Sequence, residues 1–487
     1  MTSLVAAGGP ASAGNPNNSK KFTQAVTLEG VMDHLEAFQE IADANDGNRE
    51  AGTSGYDASG AYVEQVLQAA GYETRRQYFD FAYQEQGALQ QISPTPTTYV
   101  TDSFTGSGAG DVTATVTPVD INLVPPRAST SGCEAADFAG FPVGNIALVQ
   151  RGSCDFGLKA DNAEAAGAAG VIIFNQGNTP ERSALIVGTL GTFDVDIPVV
   201  GASFATGADL ADPSTTVARV YAAPIENRPT FNVIAETKSG RADNVVMMGA
   251  HLDSVRDGAG INDNGSGSAA ILETAVQLAK VNKLNNKVRF AWWGAEEAGL
   301  IGSTHYVNDL VTNNPAALDK IATYLNFDMV ASPNYQIGVY DADESTYPAP
   351  VTVPEGSIQT EDVLTDYFDS VGQPWVDTEF SGRSDYQAFI VNGVPASGLF
   401  TGAEQLKTAE EAALFGGQAG VAYDVNYHAV GDDISNVNAE ALDINSNAIA
   451  HAAITLAQST QAINGARSAG KSGKPHPVED HQHEPAA

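Results

Sequence analysis

Residue types able to do hydrolytic chemistry recur in short, glycine-marked stretches of this chain. Gly249-Ala-His-Leu-Asp-Ser-Val-Arg-Asp-Gly-Ala-Gly-Ile-Asn-Asp-Asn-Gly-Ser-Gly267 carries His251 with Asp253, Asp257 and Asp263. Gly294-Ala-Glu-Glu-Ala-Gly299 adds the adjacent pair Glu296-Glu297, Tyr324-Leu-Asn-Phe-Asp-Met-Val330 adds Asp328, and Tyr427-His428 lies far downstream. Imidazole and carboxylate together suit zinc and its neighbours. A hydrolytic dinuclear site needs several O/N ligands from different strand ends and a free base, and these residues supply such a set.

Charge arithmetic favours two ions over one. Asp263, Glu297 and Asp328 bring three negative charges and a bridging hydroxide a fourth. Two divalent cations balance them, whereas one leaves like charges crowded in a dry site. Zinc leads because two imidazoles join the carboxylates, while manganese and cobalt stay open on ligand type. Neighbouring side chains such as Glu296 and Glu297 project in different directions, so one can bind metal while the other faces the activated water. Each motif alone has a plainer explanation. A Glu-Glu pair is usually a solvated helix start, a strand-end aspartate a helix cap, and a lone histidine a structural group. His34, His305 and His451 fit that plainer reading, and His476, His481 and His483 lie in a polar tail.

Elements that could position such a set alternate along the second half of the chain. Val245-Val-Met-Met248 has the composition of a buried strand, and Ile271, Leu272, Ala275, Leu278 and Ala279 repeat with helical spacing after the loop. Lys287 to Trp293 and Tyr324 to Val330 read as further strands, with helices through Thr304 to Leu310 and Ala439 to Ala457. Strand–helix alternation predicts a three-layer α/β/α domain with a mixed central sheet, in which ligands collect at the carboxyl ends of strands. Upstream, Leu28 to Ile41 predicts a helix capped by Thr27, and a second helix runs through Tyr62 to Ala70. From Ser93 to Ala223 the texture is β-rich, short-segmented and free of histidine, with one alanine-rich helix from Gly157 to Ala169. It reads as an inserted domain.

Composition narrows the partners. With 487 residues, more than one domain is expected. Basic residues number 24 against 59 acidic ones, a net charge of −35. Such a surface repels nucleic acid and anionic membranes. It suits a well-solvated secreted protein, with salt adaptation as the sharper alternative. No run of apolar residues is long enough for a membrane span, and the first residues lack the basic start and apolar core of a signal peptide. Cys133 and Cys154, the only cysteines, predict one disulfide and an oxidising compartment.

Two resemblances sharpen this reading. Gly132-Cys133, Asn145-Ile-Ala-Leu-Val-Gln-Arg-Gly-Ser-Cys154-Asp-Phe and Ala165-Ala-Gly-Ala-Ala-Gly-Val-Ile-Ile-Phe-Asn175 resemble a protease-associated (PA) domain. Gly249-Ala-His-Leu-Asp-Ser, Gly260-Ile-Asn-Asp-Asn-Gly-Ser-Gly, Phe290-Ala-Trp-Trp-Gly-Ala-Glu-Glu-Ala-Gly-Leu-Ile-Gly-Ser and Leu325-Asn-Phe-Asp-Met resemble the zinc aminopeptidases of peptidase family M28, over most of Val245 to Leu442. That resemblance implies His251 and Asp328 on one zinc, Glu297 and His428 on the other, and Asp263 bridging. It implies Glu296 as general base and acid, Tyr427 as oxyanion donor, and Asp253 orienting His251. Arg383, Met329 and Phe400 are implied at the substrate site, the last two as walls of the side-chain pocket. The chain departs from the family at Tyr386, where a histidine often stands, and has no cysteine near His428. A calcium site has only scattered acids such as Asp443 behind it.

The expected organisation is a disordered segment over 1–20, a discontinuous peptidase domain over 21–92 and 224–462, a PA domain over 93–223 and a disordered tail over 463–487. The expected activity is that of a secreted, monomeric dizinc aminopeptidase taking large apolar residues from peptides with a free N-terminus. A carboxypeptidase or dipeptidase on the same scaffold is the nearest alternative, and a non-catalytic binding protein the alternative of another class.

Overall fold

The computed structural model describes residues 16–180, 182–211 and 216–465. They fall into two compact units. One combines the chain up to Phe81 with the chain from Arg228 onward, and the other spans Ala82–Asn227.

The first unit is built on an eight-stranded mixed sheet. Its strands are β1 (Thr74–Tyr83), β2 (Glu226–Glu236), β3 (Arg241–His251), β4 (Asn286–Trp293), β5 (Ile321–Asp328), β6 (Gly338–Tyr340), β7 (Val376–Thr378) and β8 (Ala396–Phe400), in the order β1-β2-β4-β3-β5-β8-β6-β7. The centre is parallel: β3 pairs with β4 and β5, and β5 with β8. A parallel strand covered on both faces needs a continuous apolar run rather than alternation. In β3 every residue from Asn244 to His251 is buried, and in β5 every residue from Ile321 to Asp328.

Successive side chains point to opposite faces, so the pair Trp292-Trp293 feeds two cores. Trp292 packs with Leu35, Phe38, Leu272 and Ile449, which belong to helices Leu28–Asp43, Gly267–Leu278 and Ala439–Gln458. Trp293 packs with Tyr306, Tyr324 and Phe389 on the other face, against helix Ile301–Asn313. Helices on both faces give the three layers anticipated above. Thr27 caps the first of them, its hydroxyl accepting from Gly30 N at 3.1 Å. Among the described residues, no helix is long and apolar enough to cross a membrane.

Register sets the functional edge. His251 lies opposite Trp293, and Gly249 opposite Asn326. The chain leaving β4 therefore releases Glu296 and Glu297, and the last residue of β5 is Asp328, at the edge where β3 ends in His251.

The second unit holds a seven-stranded sheet. Its parallel strands Ile146–Gln150, Gly170–Phe174 and Val199–Ala202 are fully buried, and alternate residues fill a core on each face. The expected disulfide Cys133–Cys154 is present.

Several expected boundaries move. Strand Ala88–Ser93 pairs with Val217–Ala222 and buries Leu89 in the second unit, so that unit begins before residue 93 and ends after 223. The alanine-rich helix stops at Ala165, because Gly167 turns through a positive φ and Gly170 starts a strand. Part of the segment expected to be disordered is a helix, Pro16–Thr23, which buries Phe22 and bonds Ser19 to the ring of His451. At the other end, Gln461–Asn464 forms a short helix with Ile463 buried. Residues 1–15 and 466–487, where the remaining disorder was expected, lie outside the described residues.

One acidic cluster of the first unit carries a measurable consequence. Glu361 accepts a hydrogen bond from Ala342 N at 2.8 Å, but burial and the nearby Asp343, Asp377 and Asp341 push its carboxyl up to about 7. A carboxyl raised in the folded state binds protons that the unfolded chain has already lost, so stability falls as pH climbs from about 4.5 to about 7. Glu361→Gln keeps an acceptor for Ala342 N and removes the charge. Its melting temperature should exceed that of the parent at pH 8 by an amount corresponding to roughly 1 kcal/mol, after solvent screening, and match it at pH 4. Thermal melts at both pH values check this.

Candidate metal centre

The strand-end residues converge. His251 Nε2 lies 3.2 Å from Asp263 Oδ1 and 3.4 Å from Asp328 Oδ1. His428 Nε2 lies 3.3 Å from Asp263 Oδ2 and 3.0 Å from Glu297 Oε2. Asp263 thus turns one oxygen to each histidine. The side chains form two groups able to hold a cation, His251-Asp263-Asp328 and Asp263-Glu297-His428. Ligands at 2.0–2.2 Å from a tetrahedral zinc stand about 3.3 Å apart, so the spacing fits. Glu297 Oε1 and Asp328 Oδ1 are buried without a hydrogen-bond partner, as carboxylate oxygens reserved for a cation would be. Glu296 stands just outside both groups, its Oε2 3.9 Å from His251 Nε2.

Electrostatics follow from this crowding. Burial lowers the affinity of His251 for a proton, but Glu296, Asp328 and Asp263 outweigh it and leave the ring well above the usual imidazole range. For His428, burial is likewise overcome by Glu297 and Asp263, and the ring is raised to about 10. Asp263, between the two imidazoles, is held far below the usual carboxylate range despite burial. Burial first, and like charges second, push Glu296 well above that range and also raise Glu297. Protons here stand where cations would stand, so metal uptake must displace them.

Backbone geometry aims the ligands. Gly260 adopts a positive φ, and a Cβ there would come within 2.4 Å of Ser254 Cβ and of Asp263 O. Asp263 and Asn264 are themselves non-helical at the mouth of helix Gly267–Leu278. The Asn264 side chain donates to Phe327 O at 2.9 Å and accepts from Met329 N at 3.2 Å, tying that turn to the end of β5. Ala295, Met329 and His428 all have left-handed φ, at 56°, 46° and 54°. Each adjoins or is a site residue, and strain of this kind clusters at functional sites.

Asp253 serves two partners. His251 Nδ1 faces the Asp253 backbone carbonyl at 3.1 Å, closer than its carboxylate at 3.8 Å. The carboxylate instead accepts Glu296 N on one oxygen and Glu297 N on the other, both at 3.2 Å. It fixes the turn that splits the two glutamates, while its main chain orients the ring. Tyr427 stacks on His428 at 3.9 Å, and Arg383 donates to the Tyr427 hydroxyl at 3.2 Å and to Glu404 at 2.7 Å. Both histidines, Asp263, Glu296, Glu297, Asp328, Arg383 and Tyr427 face a cavity of about 80 Å³, walled by Met329, Tyr340, Phe400 and Ala403 with Glu379, Ser381 and Gln405.

Other supports carried no sequence signal. Arg49 is fully buried and donates to the carbonyls of Leu252, Ala259 and Gly260, gripping the loop between His251 and Asp263 from below. A one-way chain of donors ends on Asp328: Trp293 Nε1 to Tyr324 at 2.8 Å, Tyr324 to Asn326 at 2.9 Å, Asn326 to Ser384 at 2.7 Å, and Ser384 to Asp328 Oδ2 at 2.5 Å. It occupies one Asp328 oxygen and leaves the other for the cation group. A lone Arg after Asn48, or a Tyr-x-Asn on a buried strand, has no spacing that would have marked it. Among the described residues, His34, His305 and His451 stand apart from the site and make structural contacts. His305 stacks on Phe79, His34 bonds Tyr62, and His451 stacks on Tyr367. Asp443 joins none of the cation-capable groups among the described residues.

A buried imidazole and carboxylates at strand ends, joined by the more exposed imidazole of His428 from a loop around one shared carboxylate, define a metal-dependent hydrolase. The model of peptidase family M28 matches residues 232–453, and that of the PA domain residues 115–210. An aminopeptidase of Pseudomonas aeruginosa is 50% identical over 450 residues, spanning 91% of this chain and 83% of that protein. Leucine aminopeptidase 2 of Trichophyton rubrum is 42% identical over 468 residues, 92% of this chain and 87% of that one. The fold is shared with BSAP, a zinc aminopeptidase from Bacillus subtilis, at TM-score 0.67 and 24% identity over 88% of this chain and 94% of that chain. The chain belongs to peptidase family M28, as a metallo-aminopeptidase with an inserted PA domain.

The double anchorage by Asp253 predicts a catalytic effect without loss of fold. Asp253→Ala should lower kcat/KM by about 10- to 100-fold, as the loss of a ligand-orienting group typically does, with an unchanged far-ultraviolet circular dichroism spectrum. Steady-state kinetics alongside circular dichroism check this.

Proposed function

We propose that this enzyme is a secreted, monomeric dizinc aminopeptidase that removes large apolar N-terminal residues from peptides. The observation that carries the dinuclear reading is the division of Asp263 between His251 and His428. The ligands are His251 and Asp328 on one side and Glu297 and His428 on the other. Two imidazoles among the carboxylates favour zinc. Bound there, zinc lowers the pKa of water toward 7 and polarises the scissile carbonyl.

The protein groups then have separable tasks. Glu296 is held out of both ligand groups by the Asp253 turn and, raised by burial, suits the receipt and return of a proton. It takes the proton of the attacking water and delivers it to the leaving amine. Arg383 has only donors to offer, so the Tyr427 hydroxyl accepts from it through a lone pair. Its own O–H stays free to donate to the oxygen that gains charge as the carbonyl is attacked. Met329 and Phe400, with Tyr340, present an apolar wall to the first side chain, which supports a preference for large apolar residues. The disulfide and the acidic surface support secretion.

Hydrolysis of leucyl-4-nitroanilide should be abolished by a zinc chelator and restored by zinc. Glu296→Gln should lose about 10²- to 10⁴-fold in kcat while retaining its zinc. N-acetylated substrates should be inert. Full activity of the Glu296 variant, or faster cleavage of N-blocked peptides than of free ones, would overturn the assignment, the second result in favour of a carboxypeptidase.

A further inference from the structure

The two ligand groups are not supported alike. His251, Asp263 and Asp328 sit on or beside the central strands, and His251 is 1% exposed. His428 is carried by a loop whose neighbours Val425 and Val430 are 65% and 79% exposed, so those apolar side chains do not place it. Yet beneath that loop lies a buried polar knot. The Asp432 carboxylate accepts Asn262 N at 2.8 Å on one oxygen and Asp263 N at 2.9 Å on the other, and its backbone carbonyl accepts Ile261 N at 3.1 Å. Three consecutive amides of the Asp263 loop thus end on a single residue of the His428 loop. The Asn436 amide donates to Asp432 Oδ1 at 3.2 Å and to Asp424 at 2.9 Å, and Asp424 in turn accepts the Asn262 amide at 2.7 Å. Asp424, Asp432, Asn436 and Asn262 are each at most 4% exposed.

Two buried carboxylates are costly unless their lone pairs are used. Here they are used on backbone and amide donors that belong to both loops. We propose that Asp432, with Asn436 and Asp424, is a clasp that sets the register of the Tyr427-His428 loop on the Asp263 loop, and that this clasp holds the group Asp263-Glu297-His428 together. Asp432 is then a positioning residue. It touches no substrate, yet it fixes the shared ligand through that ligand's own amide and the terminal ligand through four residues of chain. The inference rests on the dinuclear reading of the site, and it assigns the integrity of one half of that site to residues that bind no metal.

The test compares the full-length enzyme with Asp432→Asn, Asn436→Ala and the control Val430→Ala. In Asp432→Asn an amide nitrogen faces a backbone N–H, so one of the two carboxylate bonds is replaced by donor against donor. Zinc per chain is measured by elemental analysis after dialysis against a weak chelator. Amide hydrogen exchange is measured on the metal-free proteins. The parent and Val430→Ala should keep two zinc ions. Asp432→Asn should keep one, and Asn436→Ala should release its second zinc at least tenfold faster than the parent. Exchange at Asn262 and Asp263 should accelerate at least tenfold in both variants, with helix Ala439–Gln458 unchanged. Two zinc ions retained as in the parent, with unchanged exchange, would overturn the clasp. So would loss of both ions together with accelerated exchange throughout, which is the signature of ordinary destabilisation. A parent holding fewer than two ions would overturn the dinuclear reading instead, and the exchange at Asn262 and Asp263 would then decide the clasp by itself.

Discussion

The structure depends on keeping several carboxylates together in a place that water scarcely reaches. Asp253, Asp263, Glu296, Glu297 and Asp328 surround one buried imidazole, and burial pushes the carboxyls of Asp253, Glu296 and Glu297 upward. Like charges in a low-dielectric pocket repel strongly. A fold can hold them only by giving most of their lone pairs fixed donors and leaving the rest for cations. That division is visible atom by atom. Asp253 is saturated by two backbone amides, and Asp328 is half saturated by Ser384. Glu297 Oε1 and Asp328 Oδ1 are left without a hydrogen-bond partner. The buried Arg49 adds a permanent positive charge beneath, although burial lowers its own pKa to about 10.

This demand explains which parts of the molecule could be read from residues alone. The convergence of these candidate residues was legible because metal chemistry restricts ligands to a few side-chain types, and strand ends restrict where such types can meet. The parallel core was legible because strands covered on both faces must be continuously apolar. Less was legible where a side chain acts on backbone rather than on metal. Asp253 meets the His251 ring through its main chain, while its carboxylate serves Glu296 and Glu297, a second task that no spacing announces. Arg49 meets carbonyls some two hundred residues downstream, a pairing that only the register of the finished sheet brings about. The edge of the inserted unit failed for a similar reason. Ala88–Ser93 has the composition of either unit, and only its ladder to Val217–Ala222 decides.

Backbone strain shows how the ligands are aimed. Ala295, Met329 and His428 lie in the left-handed region without being glycine, a conformation that costs roughly 1 kcal/mol or more at each position. A glycine would relieve the strain at any of them. At His428 the side chain is itself part of a cation-capable group, so relief would remove it from that group. Met329 walls the cavity and is 2% exposed, so a glycine there would open a void beside Asp328. Ala295 is fully buried immediately before the glutamate pair. A glycine there would give freedom to the turn that holds Glu297 in a cation-capable group and Glu296 just outside it. In each case the strained residue stabilises an arrangement that a relaxed one would blur. The sharp turns at these strand ends are therefore part of how the site separates Glu296 from Glu297, two chemically identical side chains placed differently only by the direction in which the backbone presents them.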